Sequence, residues 1–281
     1  MSYKDLLVVL DSETASRERM RLAVTLAESF AAHLVGLYPL PLPEVPRHLG
    51  YYDPALLEPL FRELQEKSQE LSDKEREAFE HAASLSGLSA EWRAVEAGMG
   101  SDTALHARYV DLTILGQLNP DRGDADLIRP RPEHVTLASG RPVLVVPYAG
   151  HFETLGRRVL IGWNATREAT RAVNDAMPLL MAADVVTVLT IDAREGPDAH
   201  GELPGADISL HLARHGVKTT IERTVSAGIA AGEVLLSRAA DLGADLLVIG
   251  AYGHSRVREL LLGGATRSIL QSMTLPVLMS H

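Results

Sequence analysis

Cysteine is absent from the 281 residues. Disulfides, thiolate metal centres and cysteine nucleophiles are therefore excluded, and nothing requires an oxidising compartment, so the cytoplasm is the expected location. Basic residues are the minority charge, 27 against 37 acidic, for a formal net charge of −10. Long-range repulsion then opposes non-specific binding to nucleic acid or to an anionic membrane surface. The opening run KDLLVVLD is too short to span a bilayer and leads into polar residues rather than a small-residue cleavage site. Neither a signal peptide nor a membrane span is expected. Also missing are a Gly-x-Ser-x-Gly nucleophile elbow and a full Gly-x4-Gly-Lys-(Ser/Thr) phosphate loop. Binding is thereby better supported than turnover.

What is present is an ordinary globular composition, 46% hydrophobic and 23% charged, enough for one large or two medium cores. The chain repeats itself. KDLLVVLD (Lys4 to Asp11) precedes a polar turn and apolar residues at Leu22, Leu26 and Phe30, a helical spacing. RRVLIGWN (Arg157 to Asn164) repeats this 153 positions later, followed by a stripe at Ala169, Ala172, Val173, Ala176 and Leu180. VDLTILG (Val110 to Gly116) matches ADLLVIG (Ala244 to Gly250), and RPVLVVP (Arg141 to Pro147) matches LPVLMSH (Leu275 to His281), both at an offset of 134. The first copy thus carries 19 extra residues, placed in the Pro-rich segment Pro39 to Pro54 and the charged helical run that follows.

Strands are expected at Leu6 to Leu10, Leu34 to Tyr38, Glu91 to Val95, Leu112 to Leu115 and Val143 to Val146. In the second copy they fall at Val159 to Gly162, Val185 to Leu189, Thr219 to Arg223, Leu246 to Ile249 and Val277 to Met279. Most are continuous apolar runs rather than alternating ones, as in a parallel sheet covered on both faces. The expectation is α/β: two tandem, doubly wound, five-stranded parallel-sheet domains at 1–149 and 157–281, joined by a linker at 150–156. Unpaired apolar fifth strands would be an aggregation hazard, so these edges are expected to pair in an intramolecular pseudo-dimer, with further homo-oligomerisation open.

After the fourth strand of the second copy come Gly250 and Gly253, then nine residues to Gly263 and Gly264, where a helix starting at Ala265 begins. Glycines there permit close backbone approach, and the free N–H groups of a helix start favour an anion. Spacing alone equally allows a tight strand exit and a helix cap with no ligand.

At this point the chain resembles the universal stress protein family in its tandem form, over nearly its whole length. Nucleotide-binding members carry Gly-x2-Gly-x9-Gly-(Ser/Thr) after the fourth strand, and Gly250, Gly253 and Gly263 match that spacing. The resemblance implies a stress-response protein that holds ATP or another adenine nucleotide and presents its surface to a protein partner, with Mg²⁺ an open question. It also implies that a residue ending the first strand meets the adenosine, a second-strand backbone group holds adenine, and the glycine segment holds ribose and phosphates. By position those are Asn164, Thr190 and the set Gly250, Gly253, Gly263, Gly264 and Ala265. Two departures subtract contacts: Asn164 replaces the family's acid, and Gly264 its hydroxyl residue, with Thr166 or Thr266 as substitutes. The first copy keeps the acid as Asp11 and one glycine, Gly116. Asn119, Arg129 and Pro130 replace the other glycines, so this copy is expected to bind no nucleotide and Asp11 to serve a turn or cap. An interaction scaffold with both sites degenerate and a slow ATP hydrolase are the alternatives.

The remaining candidates have plainer readings. His211 and His215 share a helix face but lack a third metal ligand, so no metal is assigned. Arg256, Arg258, Glu259 and Arg267 solvate helical turns, and His254 either faces a phosphate or water. Trp92 belongs to the core, while Trp163 packs on adenine or on its own helix.

Overall fold

The computed structural model describes residues 2–11, 14–41, 54–97, 101–119, 129–193, 204–253 and 264–281. In the first half β1 (Asp5–Val9), α1 (Thr14–Phe30), β2 (His33–Pro41), α2 (Pro54–Leu85), β3 (Ala90–Ala97), α3 (Ser101–Ala107), β4 (Leu112–Gly116), α4 (Pro132–Ser139) and β5 (Val143–Val146) follow in order. In the second come β6 (Arg158–Gly162), α5 (Arg167–Asp175), α6 (Met177–Ala182), β7 (Val185–Ile191), α7 (Ala206–Arg214), β8 (Thr219–Thr224), α8 (Ala231–Asp241), β9 (Leu246–Gly250), α9 (Ala265–Ser272) and β10 (Val277–Ser280).

All ten expected strands are present. They form one sheet in the order β3-β2-β1-β4-β5-β10-β9-β6-β7-β8, parallel within each half. The continuous apolar runs follow from burial on both faces: Leu6, Leu7 and Val8 are all inaccessible, and alternate members belong to two separate core layers. Each layer runs through both halves.

The fifth strands close the gap between the copies. β5 and β10 pair antiparallel, with Val143 opposite Met279, Leu144 opposite Leu278 and Val145 opposite Val277. All six side chains are fully buried. Each contributes about 1.5–3 kcal/mol before the entropy of ordering is set against it. Tyr3 reinforces the contact, its hydroxyl donating to the Asp175 carbonyl at 2.7 Å, and burial pushes that phenol well above its ordinary pKa.

The halves differ most between their second and third strands. The first has the 32-residue α2 there, where the second has the 9-residue α7. The Pro-rich part of the expected excess, 42–53, lies outside the described residues. One expected helix is two: the stripe Ala169 to Leu180 breaks at Ala176, because Pro178 supplies no N–H and its ring excludes a continuous turn. Among the described residues no helix is long and apolar enough to cross a membrane.

Candidate functional site

In each half the chain order reverses between the first and fourth strands, and that is where a doubly wound sheet leaves a crevice beyond its carboxyl ends. In the second half the crevice is a cleft of about 150 Å³ lined by Gly162, Trp163 and Asn164 after β6, Leu189 and Ile191 of β7, and Ile249 and Gly250 of β9. Ala231 and Leu235 of α8 and Ala265, Thr266 and Ile269 of α9 close it. Whole small-molecule sites usually measure about 300–1,000 Å³. This volume suits a flat heterocycle.

Two helix starts point into the cleft. α8 begins after Ala230 and α9 after Gly264, and neither has a side-chain cap, so their first N–H groups remain available to an anion. α5 differs. Thr166 caps it by accepting from Ala169 N–H, while Asn164 Oδ1 accepts from the Thr166 hydroxyl at 2.8 Å and from its N–H at 3.3 Å. Asn164 therefore holds the strand-to-helix turn and keeps its amide NH₂ for other partners. Thr266 lies at the cleft wall, buried, its hydroxyl facing Tyr252 N–H at 3.5 Å.

The glycines divide by cause. A Cβ on Gly250 would lie 2.4 Å from Ala169 N and 2.5 Å from the Glu168 carbonyl carbon, so close packing of α5 on β9 requires that glycine without any ligand. Among the described residues, the atoms nearest a Cβ on Gly253 would be side-chain atoms, Glu168 Oε2 at 3.2 Å and Thr166 Oγ1 at 3.7 Å. Gly264 and Ala265 are the cap and first residue of α9. Gly263 lies outside the described residues, as do His254, Arg256, Arg258 and Glu259.

Thr190 is the expected residue that the structure moves away from the site. Alternate residues of a parallel strand turn their main-chain groups to alternate sides. Leu189, whose carbonyl accepts from Trp163 N–H, faces β6, so Thr190 faces β8 and Ile191 faces the β6 side again. β6 pairs only as far as Gly162, so the main-chain N–H and C=O of Ile191, not of Thr190, turn toward the cleft. The Thr190 side chain is buried against Gly205 on the other face.

Glu168, in the first turn of α5, is a buried acid beside Gly253 that the sequence reading missed. Its side chain is 2% exposed, and Arg167 Nε donates to its Oε1 at 2.5 Å. Burial raises the carboxyl pKa, but bonds from Arg167, the main chain and Thr166 outweigh this and hold it below the usual carboxylate value. The available signal was the acid's position four residues before Ala172, on the buried stripe.

In the first half the corresponding place is filled by the protein itself. Asp11 Oδ2 pairs with Arg19 Nη2 and with Arg129 Nη2, each at 2.7 Å. Arg19 is buried, and a Cβ on Gly116 would lie 1.9 Å from its Nη1. Asp11 is thus the centre of an ion-pair cluster, and Gly116 makes room for an arginine.

His211 and His215 do share a face, ring centroids 4.8 Å apart, but no group of three metal-ligating side chains occurs among the described residues. Trp92 packs against Phe79 and Tyr38 in the core, and Trp163 both packs on the core and lines the cleft.

Sequence comparison matches residues 156–281 to the universal stress protein family. The C-terminal half of the chain is thus similar to the universal stress protein family. A universal stress protein of Synechocystis sp. (strain ATCC 27184 / PCC 6803 / Kazusa) is 28% identical over 148 residues, 52% of this chain and 49% of that one. The chain therefore spans about half the length of that curated relative. Among solved structures, a universal stress protein from Archaeoglobus fulgidus DSM 4304 aligns with TM-score 0.70 at 16% identity, over 98% of this chain and 95% of that one. A protein of unknown function from Pseudomonas aeruginosa PAO1 aligns with TM-score 0.56 at 17% identity, over 99% and 92%. These likenesses establish a shared fold across the tandem arrangement.

Proposed function

We propose that this protein is a universal stress protein that binds one adenine nucleotide per chain, in its C-terminal domain at 157–281, and that its N-terminal domain, 1–149, binds none. The observation that carries the reading is the cleft itself, an apolar slot between Leu189, Ile191, Leu235, Ile249 and Ile269 that ends at the uncapped starts of α8 and α9. An adenine ring fits the slot, with the Ile191 main-chain groups at hand for its edge. Asn164 NH₂ and the start of α9 at Gly264 and Ala265 are at hand for the ribose and phosphate end. Arg19 and Arg129, converging on Asp11, fill the matching space in the N-terminal domain with positive side chains. The role is binding rather than turnover, with the ligand state presented to a protein partner in the cytoplasm. ATP, ADP and AMP are all candidates at this level, with or without Mg²⁺.

The test is direct. Protein purified without added nucleotide is denatured and its released small molecules identified by mass spectrometry, and the stripped protein is titrated by calorimetry. An adenine nucleotide and a stoichiometry near one per chain are expected. A stoichiometry near two, or binding lost on Asp11→Ala, places a ligand in the N-terminal domain instead.

A further inference from the structure

His211 and His215 take no part in the cleft. They stand one turn apart at the end of α7, His211 within the helix and His215 as its C-cap. His215 is exposed and His211 half-buried. Their ring centroids lie 4.8 Å apart, with 62° between the ring planes. The inner ring holds an orphan: Nε2 of His211 is buried and has no hydrogen-bond partner among the described residues. A buried polar atom of that kind points to a partner outside the polypeptide, a water or an ion.

The ring spacing suits an ion. An imidazole nitrogen binds a divalent transition metal at about 2.0–2.1 Å, which sets each ring centroid roughly 3.2 Å from the metal. Two such ligands at a coordination angle of about 90–110° have centroids about 4.5–5.2 Å apart. The observed separation falls inside that window. Two histidines four residues apart on a helix are also the pair that helical zinc sites use. The last turn of α7 carries the negative end of the helix dipole, and the chain's formal net charge is −10, so the surroundings favour a cation. Arg214, beside the pair, is exposed and keeps its charge in water. Asp207, one turn before His211, does not complete a set of three, which leaves the remaining coordination positions to water.

We propose that His211 and His215 form a two-point site for one divalent transition cation, Zn²⁺ or its neighbours Ni²⁺ and Cu²⁺, open to water on its outer side. The site is independent of the nucleotide reading. A bound ion spans the final turn of α7, whose buried Ile208 and Leu212 hold the helix to the core, and so fixes the end of that helix. Hard cations such as Mg²⁺ prefer oxygen ligands and are not accepted.

The experiment is calorimetric titration of the full chain, stripped with EDTA and exchanged into chelator-free buffer, with Zn²⁺ and with Mg²⁺. One Zn²⁺ per chain is expected. His215→Gln alters an exposed position and should weaken Zn²⁺ binding by about tenfold or more, because one imidazole of a chelating pair is left; His211→Gln should do the same. Thermal unfolding gives a second readout. Zn²⁺ at about a hundred times its dissociation constant should raise the wild-type midpoint by about 3–8 °C, and that of His215→Gln by about half as much or less. Wild type that takes up no Zn²⁺ overturns the proposal. So does Zn²⁺ affinity unchanged in His215→Gln, which places the ion elsewhere, and so does displacement of Zn²⁺ by Mg²⁺. If His211→Gln does not fold, the exposed variant decides alone.

Discussion

The side-chain amide of Gln117 donates to the main-chain carbonyl of Leu270 at 2.8 Å, crossing from the N-terminal to the C-terminal half. Gln117 is 3% exposed, and its Oε1 accepts from Tyr148 N–H at 3.2 Å. Leu270 lies in the last turn of α9, the helix whose first residues wall the cleft. The matching position in the C-terminal half is Ala251, which has no such reach.

Gln117→Leu should therefore lower stability by about 1–3 kcal/mol, because it strands one buried carbonyl and one N–H. Urea unfolding should show a lower midpoint with an unchanged slope. An unchanged midpoint would mean that both groups find other partners.

The two glycines of the site should respond differently to a methyl group. Gly250→Ala drives a Cβ into the backbone of α5 and is expected to cost about 1–3 kcal/mol or more. Among the described residues Gly253→Ala presses on a carboxylate and a hydroxyl, which can shift, so it should cost under about 1 kcal/mol. Thermal melts of the two variants rank them, and the reverse order would contradict the packing described.

Glu18 ties the segment between the halves to α1. It accepts from Arg21 at 2.6 Å, from Phe152 N–H at 2.8 Å and from His151 at 3.0 Å. Burial raises its carboxyl pKa, yet these bonds overcome that and bring it down to about 2. A folded-state value below the ordinary 4.5 means that the stabilisation is present above about pH 4.5 and is lost as pH falls toward 2. The shift corresponds to at most about 3 kcal/mol. Exposure of Arg21 and His151 reduces it to about 1–2 kcal/mol. Wild type and Glu18→Gln should differ by that amount at pH 7 and converge near pH 2 in denaturant titrations.

Asp11→Ala should destabilise the N-terminal half by about 3–5 kcal/mol, since it leaves Arg19 buried without its carboxylate. Nucleotide affinity in the C-terminal cleft should not change while the protein remains folded. Calorimetry and thermal melts together separate the two effects.

The strands were legible because a buried parallel strand writes itself as an unbroken apolar run, as in LLVV or LLVI. The pairing of β5 with β10 was legible too, from the hazard of two apolar edges. What sequence could not give were relations that depend on register or on distant contacts. Thr190 and Ile191 are adjacent, and only the pairing of β7 with its two neighbours decides which offers its main chain to the cleft. Arg129 was identified as filling the phosphate position, but its pairing with Asp11 joins residues more than a hundred positions apart. Glu168 looked like one more acid in a charged first turn, and its burial arises from the fold of α5 against the Gly253 turn. The break at Ala176 was hidden because the apolar spacing continues across it.

The antiparallel pairing of β5 with β10 also fixes a direction. Strands of the two halves run in opposite senses, so their carboxyl ends emerge on opposite rims of the one sheet. The cleft opens on one rim, and the Asp11, Arg19 and Arg129 cluster occupies the other. A homodimer of identical domains would present two equivalent rims and report its ligand twice. This chain is polar in that respect: one rim carries an open cleft and the other a filled ion-pair cluster. A single partner gripping both would carry its own reference surface.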